Sequence, residues 1–346
     1  MARSGGSRMP GAFLLSALVA AVTLWFLLRT RSPTSSGRAP SLSKPNKESA
    51  CEAAYSDKVS AACVRDRFRY GEWLARDHHK RMTCDTFEYV NKTCGPEFCA
   101  NIFTRSIHDQ VVLFVGDSTM HGMYNTLVEA IGKHRGCLAK EEFREYSRSG
   151  CPRENKVNVN TSIQCGRHRA RLLYNRHDHG AGQQYGRDPG SRCEAWHGPV
   201  LSETAVVVLT FGSHLNEHKN ESVSVEHWQS HTKKITALVK HRAVKVVYVV
   251  PQWGVLYPSL KAQQPLKKPP ATIDTKFGWN EIPRVTSTIA NTFEAELTSQ
   301  VRVIDASYAL SMRPDCRHDH LHMERGALVH SVLRLLQNVI IKGGFG

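Results

Sequence analysis

The chain has 346 residues, of which 41% are hydrophobic and 22% are charged. This composition is typical of a globular protein, and it excludes a wholly disordered chain, a collagen-like chain and a protein with many membrane spans. The formal net charge is +15, but seven Lys or Arg residues and one Glu lie within the first 50 positions, so the rest of the chain is only mildly basic.

The longest apolar run covers residues 9–28 and has arginines on both flanks. About 20 apolar residues are enough to cross the roughly 30 Å hydrocarbon layer of a bilayer, and cleaved signal peptides have shorter apolar regions of about 7–15 residues. The run therefore predicts a transmembrane signal anchor, with residues 1–8 as a cytosolic tail; a cleaved signal peptide is the alternative. Residues 29–50 are rich in Ser, Pro and Lys, which predicts a flexible stem.

All ten cysteines follow the predicted anchor, and an even number suits disulfide bonds in an oxidising compartment. Three glycosylation sequons, at Asn91, Asn160 and Asn220, lie on the same side. Together these features place residues 51–346 in the secretory lumen as the domain of a single-pass type II protein. Disulfides are expected to fasten the cysteine-rich start of this domain to the rest. Zinc binding is less well supported, because the chain has no pair of CxxC motifs.

From residue 111 onward, short apolar runs alternate with amphipathic stretches. The runs at 111–115, 205–210, 243–250 and 301–304 predict strands that are covered on both faces. Helices are predicted at 119–132, 223–241, 283–298 and 325–341. The alternation predicts an α/β domain with a three-layer, mostly parallel sheet. Ligands bind outside the carboxyl ends of the strands in such sheets, so functional residues are expected there.

Ser118 follows the first predicted strand within Gly116-Asp117-Ser118 and precedes a helix. Its hydroxyl would lie at the carboxyl edge of the sheet and its backbone N–H at a helix N-terminus, and both favour an attacking oxygen. Capping of the helix by Asp117 or Ser118 is the simpler alternative. Gly212 and Asn216 follow the second predicted strand, and together with the Ser118 N–H they are candidate donors to an oxyanion. Alone they would only mark a turn.

The loop before the last helix contains two overlapping Asp-x-x-His pairs, Asp315 with His318 and Asp319 with His322. Serine chemistry needs a neutral imidazole that accepts the hydroxyl proton and a carboxylate that orients this imidazole. Either pair can supply both groups. A histidine-rich surface loop and a metal site made from the same side chains are the alternatives.

The order of Gly-Asp-Ser and Asp-x-x-His resembles the SGNH (GDSL-type) superfamily of esterases and acyltransferases. Residues 63–73, which include Phe68-Arg-Tyr-Gly-Glu-Trp73, and the string Asp315-Cys-Arg-His318 are similar to its PC-esterase (trichome-birefringence-like) branch. The resemblance covers about residues 63–340. It implies an SGNH-hydrolase-like sheet with flavodoxin-like strand order, a single-pass Golgi membrane location, and O-acetylation of polysaccharides or glycoprotein glycans.

The chain departs from that branch at two places. His121 stands where the branch often has Arg, and Thr-Phe-Gly-Ser-His at 210–214 replaces a block of the Asn-Thr-Gly-His-Trp type. The string Asp315-Cys-Arg-His318 resembles the plant branch, whereas Asp319-His-Leu-His322 resembles the wider superfamily. The tighter spacing of His322 to the last helix favours the Asp319 and His322 pair.

These observations lead to the hypothesis of a lumenal O-acyltransferase in which Ser118 carries the acyl group, His322 is the base and Asp319 orients it. The expected partners are a glycan acceptor and an acetyl donor such as acetyl-CoA as co-substrate, with no bound cofactor and no metal. An acetyl esterase with the same residues and a non-catalytic glycan-binding protein are the alternatives. A lumenal location excludes nucleic acid, so the basic stretches at 166–179 and 257–270 are interpreted as contacts to an anionic glycan or a membrane surface, or as solvated loops.

Overall fold

The computed structural model describes residues 65, 67, 71–75, 84, 87–90, 98–144, 158–177, 198–213, 225–252, 265–268, 280–319 and 321–342, all within one compact unit that spans residues 47–346. The predicted tail, anchor and stem lie outside the described residues, as do the sequons at Asn91 and Asn220. Across the described ranges, every helix is too short or too polar to cross a membrane.

A seven-stranded sheet forms the centre of the unit, and a separate pair of strands precedes it. The separate pair is antiparallel and consists of β1 (Glu72–Ala75) and β2 (Phe87–Val90). The central strands are β3 (Val111–Gly116), β4 (Cys137–Arg144), β5 (Val159–Cys165), β6 (His168–Arg176), β7 (Thr204–Leu209), β8 (Lys245–Val249) and β9 (Val301–Ile304). Their spatial order is β4-β5-β6-β3-β7-β8-β9.

Five of the central strands, β6, β3, β7, β8 and β9, are parallel to one another. Numbered by their position in the chain, they have the flavodoxin-like order 2-1-3-4-5. β5 is antiparallel to both β4 and β6, so β4 again points the same way as the parallel strands. The predicted mostly parallel α/β sheet is confirmed.

Helices cover both faces of this sheet. They are α1 (Ala100–Ser106), α2 (Ser118–Gly132), α3 (Gly198–Glu203), α4 (Val225–Val239), α5 (Ile282–Leu297), α6 (Ala306–Ser311), α7 (Arg325–Leu328) and α8 (Arg334–Lys342), with a π-helical turn at Val329–Leu333 between the last two. Apolar residues of α1, α2, α6, α7 and α8 belong to one core cluster, and those of α3, α4 and α5 belong to a second.

β3 shows why its sequence is apolar without a break. Val112 and Phe114 belong to the first core cluster, and Leu113 and Val115 belong to the second, and all four side chains are inaccessible to solvent. Burying a side chain of this kind stabilises the fold by about 1.5–3 kcal/mol. The strand therefore has no solvent-facing side, and the three-layer arrangement follows from its sequence.

Part of the basic stretch at 166–179 is a strand, so its interpretation as a surface loop is wrong. β6 runs through it and pairs with β3 and β5. Arg169 and Arg171 are exposed and alternate with buried Ala170 and Leu172, which is the two-residue period of a strand with one solvated face. The sequon residue Asn160 is half-buried in β5 and does not lie in a loop.

Two disulfides join described cysteines, Cys84 to Cys316 and Cys137 to Cys165. The first ties the segment between β1 and β2 to the turn that precedes the His-rich loop, as expected for a segment without a core of its own. Cys84, Asp315 and Cys316 also form a cluster of metal-ligand residue types, but both sulfurs are consumed by the disulfide.

Candidate active site

The chain leaves β3 at the point where the strand order reverses. β3 has β6 on one side and β7 on the other, and such a switch point opens a crevice at the carboxyl ends of the strands. Ser118 is the first residue of α2 and is half-buried there. The backbone N–H of Thr210, just after β7, donates to the Val115 carbonyl over 3.0 Å, so the ends of β3 and β7 are held together.

A serine, a histidine and an aspartate form a continuous hydrogen-bonded chain at this edge. Ser118 Oγ lies 2.8 Å from Nε2 of His322, and Nδ1 of His322 lies 2.7 Å from Oδ2 of Asp319. A carboxylate only accepts hydrogen bonds, so the imidazole proton sits on Nδ1 and Nε2 accepts the proton of the serine hydroxyl. This is the arrangement in which a serine is activated as a nucleophile.

Asp319 is held in its ionised form by the loop around it. Its Oδ1 accepts the backbone N–H groups of Leu321 and His322, both over 2.7 Å, while Oδ2 accepts the imidazole. Partial burial raises the pKa of this carboxyl, but the hydrogen bonds from His322 and Leu321 outweigh it and lower the pKa to about 2. Asp319 is therefore a carboxylate near neutral pH.

The loop that carries His322 is closed on itself by backbone contacts. Arg317 and Met323 form an antiparallel bridge, and the His318 N–H donates to the His322 carbonyl over 2.9 Å. The Leu321 carbonyl accepts from the side chain of Gln252, which lies just after β8 and is buried. These contacts fix the backbone on both sides of the imidazole.

Arg317 lies buried beneath this loop. Its Nη1 is 3.4 Å from the Leu321 carbonyl and its Nη2 is 3.4 Å from the Leu310 carbonyl. Burial lowers the pKa of the guanidinium to about 10, and the charge of Asp319 acts in the opposite direction. The guanidinium of Arg317 therefore stays charged, and its positive charge attracts the carboxylate of Asp319.

The structure does not bring together the alternative pair, Asp315 and His318. Asp315 forms an ion pair with Arg313, with Nη2 to Oδ2 at 2.9 Å. Arg313 is fully buried, and its guanidinium lies 4.5 Å from the ring of Trp73 and 5.0 Å from that of Phe87. A buried guanidinium requires a counter-charge, so the Asp315 carboxylate is committed to it. The side chain of His318 is exposed.

Asp117 caps the helix that begins with Ser118. Its Oδ1 accepts from the Thr119 N–H over 2.8 Å and from the Met120 N–H over 3.4 Å, and its Oδ2 accepts the hydroxyl of Ser213 over 2.9 Å. The capping interpretation therefore holds for Asp117, while Ser118 faces the histidine. Because Ser213 follows β7, this bond also links the two strand ends around the crevice.

The candidate oxyanion donors differ in how far the structure describes them. Ser118 has its backbone N–H at the N-terminus of α2, where the helix dipole favours negative charge. Gly212 lies three residues after β7, at the same edge, with φ of +105°; a side chain there would be strained and would meet Ile289 at 3.2 Å. Asn216 lies outside the described residues.

Tyr174 and Gln252 support the site but are not among the residues predicted from the sequence. The hydroxyl of Tyr174 in β6 is 3.1 Å from both the Gly116 and Asp117 carbonyls, so it supports the backbone that presents the serine. The alternation of buried and charged residues in 168–176 was the available signal for this strand. No local pattern marks Gln252, because its partner lies 69 residues away.

No protein-family model and no curated protein sequence matches the chain. Among solved structures, the chain is similar to a peptidoglycan O-acetylesterase with 8% identity and a TM-score of 0.41, over 69% of this chain and 96% of that one. It is also similar to an acetylxylan esterase from Geobacillus stearothermophilus with 10% identity and a TM-score of 0.37, over 67% of this chain and 96% of that one.

Proposed function

We propose that the chain is a serine-dependent O-acyltransferase of the SGNH type, which moves an acyl group, in this proposal acetyl, onto a hydroxyl of a glycan. The observation that carries the proposal is the chain of contacts from Ser118 Oγ through the His322 ring to the Asp319 carboxylate, at 2.8 and 2.7 Å. The resemblance of the sequence motifs to glycan-acetylating enzymes favours acetyl over other acyl groups and a sugar over other acceptors.

In the first half of the reaction, Ser118 Oγ attacks the carbonyl of the donor while Nε2 of His322 takes its proton. The same nitrogen then returns that proton to the leaving group, for example the thiolate of CoA, and an acyl-serine remains. In the second half, Nε2 takes the proton of the acceptor hydroxyl as this oxygen attacks the acyl-serine, and the proton passes to the departing Ser118 oxygen. Asp319 stays ionised and stabilises the imidazolium in both halves.

The negative charge that develops on the carbonyl oxygen needs donors at the helix N-terminus. We assign this role to the backbone N–H of Ser118 and that of Gly212, with the side-chain amide of Asn216 as a third donor. Removing one donor of this kind costs about 3–4 kcal/mol of transition-state stabilisation. Gly212 donates through its backbone N–H, so replacing the side chains of other residues does not remove this donor.

An acetyl esterase with the same residues is the second candidate. The side chain of His322 is 39% exposed and that of Asp319 is 53% exposed, so water reaches the base that would activate it. Transfer and hydrolysis share the acyl-serine and differ in which hydroxyl attacks it. The observed exposure therefore favours hydrolysis whenever no acceptor fills the crevice.

The cellular setting is part of the proposal. A signal anchor at 9–28 would hold the protein in the Golgi membrane, with residues 51–346 in the lumen, where acetyl donor and glycan acceptors meet. Glycosidase treatment of the expressed full-length chain should lower its mass, and protease added to intact microsomes should leave the domain uncut. An unglycosylated, protease-accessible domain would refute this location.

The activity is tested with full-length protein, a labelled acetyl donor and a panel of glycans. Labelled glycan indicates a transferase, free acetate alone indicates an esterase, and a Ser118→Ala variant should produce neither. Acid-quenched wild type should carry label on the peptide that contains Ser118. A wild type that gives no labelled glycan, no acetate and no labelled peptide would refute the proposal and leave a non-catalytic binding protein.

A further inference from the structure

Two arginines end the strands on one side of the nucleophile. Arg176 is the last residue of β6 and lies opposite Gly116, two residues before Ser118. Arg144 is the last residue of β4, and its partner in β5, Val159, pairs in turn with Tyr174 of β6. Because β3, β4 and β6 point the same way, both arginines lie at the carboxyl edge of the sheet, where Ser118 is.

His121 connects these arginines to the nucleophile. It lies one helical turn after Ser118 in α2, and its ring stacks on that of Tyr174 with centroids 5.0 Å apart. Burial, followed by the positive charges of Arg144 and Arg176, lowers the pKa of His121 to about 4. Both guanidinium charges therefore act on the helical turn that carries Ser118 and His121, and the His121 ring is neutral near pH 7.

The other arginines of the same stretch do not belong to the site. Arg169 forms an ion pair with Asp109 over 2.9 Å, and Arg171 forms one with Glu203 over 3.2 Å. Both precede Arg176 on β6, on the side of the sheet where the parallel strands begin. Arg169 and Arg171 thus lie in surface ion pairs away from the site, whereas Arg176 lies at the edge of the sheet that carries Ser118.

Arg144 has a described acidic partner, Glu141, at 2.5 Å from Nη2. The side chains of this pair are 34% and 40% exposed, and exposed pairs contribute little because water and salt screen them. A carboxylate or sulfate held by two guanidinium groups forms several charge-assisted hydrogen bonds at once. Such a group can therefore displace Glu141 from Arg144.

We infer that the glycan acceptor of this site is acidic, and that Arg144 and Arg176 bind its carboxylate or sulfate beside Ser118. The inference rests on the proposed function and adds the substrate class. The side-chain amide of Asn125 donates to Nε2 of His121 over 2.9 Å, which holds the ring in place one helical turn after Ser118.

The test uses acetylated methyl glycosides as probes for the full-length protein: a glucuronoside, a sulfated glucoside and a neutral glucoside. When the enzyme removes acetyl from a sugar ester, Ser118 takes the acetyl group and the sugar leaves. This step is the first half of hydrolysis, and it is also the second half of transfer run in reverse. The rate therefore reports on the acceptor site whether the protein is an esterase or a transferase. We expect a higher kcat/KM for both acidic esters than for the neutral one. Arg176→Gln and Arg144→Gln should each lower this acidic-to-neutral ratio by about tenfold, the factor for one charge-assisted hydrogen bond.

Arg169→Gln is the matched control, since it removes a charge from the same strand at the opposite edge and should leave the ratio unchanged. The glucuronoside and the sulfated sugar separate the two sources of anion. The inference is wrong if the acidic-to-neutral ratio of kcat/KM is the same in wild type and both variants. It is also wrong if the variants slow acylation by acetyl-CoA but not the reaction of the acidic esters, because the arginines would then bind the acetyl donor. Absence of Ser118-dependent release of p-nitrophenol from p-nitrophenyl acetate would instead refute the proposed function itself.

Discussion

Gly116, the last residue of β3, is packed too tightly for any side chain. A Cβ at this position would lie 2.6 Å from Cγ2 of Thr210, 2.7 Å from Cβ of Met120 and 2.9 Å from the Thr210 carbonyl oxygen. Two of these three atoms are backbone or Cβ atoms, which cannot move without moving β7 or α2. We therefore predict that Gly116→Ala destabilises the protein by about 1–3 kcal/mol, the usual cost of overpacking.

The same change should also lower activity, because α2 carries Ser118 and its displacement lengthens the 2.8 Å contact to His322. A shift of about 1 Å in a reacting group costs on the order of 100-fold in rate. Urea unfolding of purified protein gives the stability, and p-nitrophenyl acetate hydrolysis gives the rate. The activity of Gly116→Ala should thus fall by a larger factor than the fraction of folded protein does.

Gly122→Ala is the matched control within the same helix. Apart from the adjacent residues and the backbone of the same helix, no atom of the described residues lies within 4 Å of the added Cβ. This alanine should therefore raise stability by about 0.5–1 kcal/mol through its better helix propensity and leave the rate unchanged. Adding Thr210→Ser to Gly116→Ala removes the closest contact and should restore part of the stability. Unchanged unfolding and activity in Gly116→Ala would refute the packing described at this edge.

Three further predictions concern the loop and its surroundings. His322→Ala should abolish the reaction as Ser118→Ala does, whereas His318→Ala, which changes an exposed ring, should retain most of it; the reverse ranking would contradict the assigned pair. The pKa of His121 is lowered from 6.5 to about 4, so the neutral ring makes its full contribution to stability above pH 6.5. This contribution is lost as the pH falls towards 4, and the loss amounts to about 1–2 kcal/mol after solvent screening. His121→Gln should remove this part of the decline in the unfolding midpoint. Replacing Cys84 and Cys316 together by Ala should cost about 2–4 kcal/mol in urea unfolding.

Four of the five parallel strands were predictable from sequence because most of their side chains are buried on both faces. β3, β7, β8 and β9 consist mostly of Val, Leu, Ile, Phe and Tyr, and their predicted bounds agree with the structure to within two residues. β4 and β5 were missed because neither strand is buried on both faces, and their exposed positions carry polar side chains such as Lys140, Glu142 and Gln164. In β6 the arginines hid the strand in the same way.

The pairing of histidine and aspartate could not be decided by spacing, because both candidates are Asp-x-x-His. What separates them is the buried guanidinium of Arg313, which takes Asp315 as its counter-ion and is enclosed by Trp73 and Phe87. The two rings lie more than 220 residues earlier in the chain. A local motif therefore depends on a tertiary contact that no local pattern predicts.

Ser118 and His322 are 204 residues apart in sequence, and three sets of contacts bring them to 2.8 Å. The disulfide of Cys316 to Cys84 and the ion pair of Arg313 hold the loop from the side of the first strand pair. The side chain of Gln252 holds it from the end of β8, and α7 packs on α2. These holding groups are buried, whereas the reacting ones are partly exposed. The reacting side chains are thus held in place by their neighbours and stay accessible to solvent, which suits the proposed glycan acceptor.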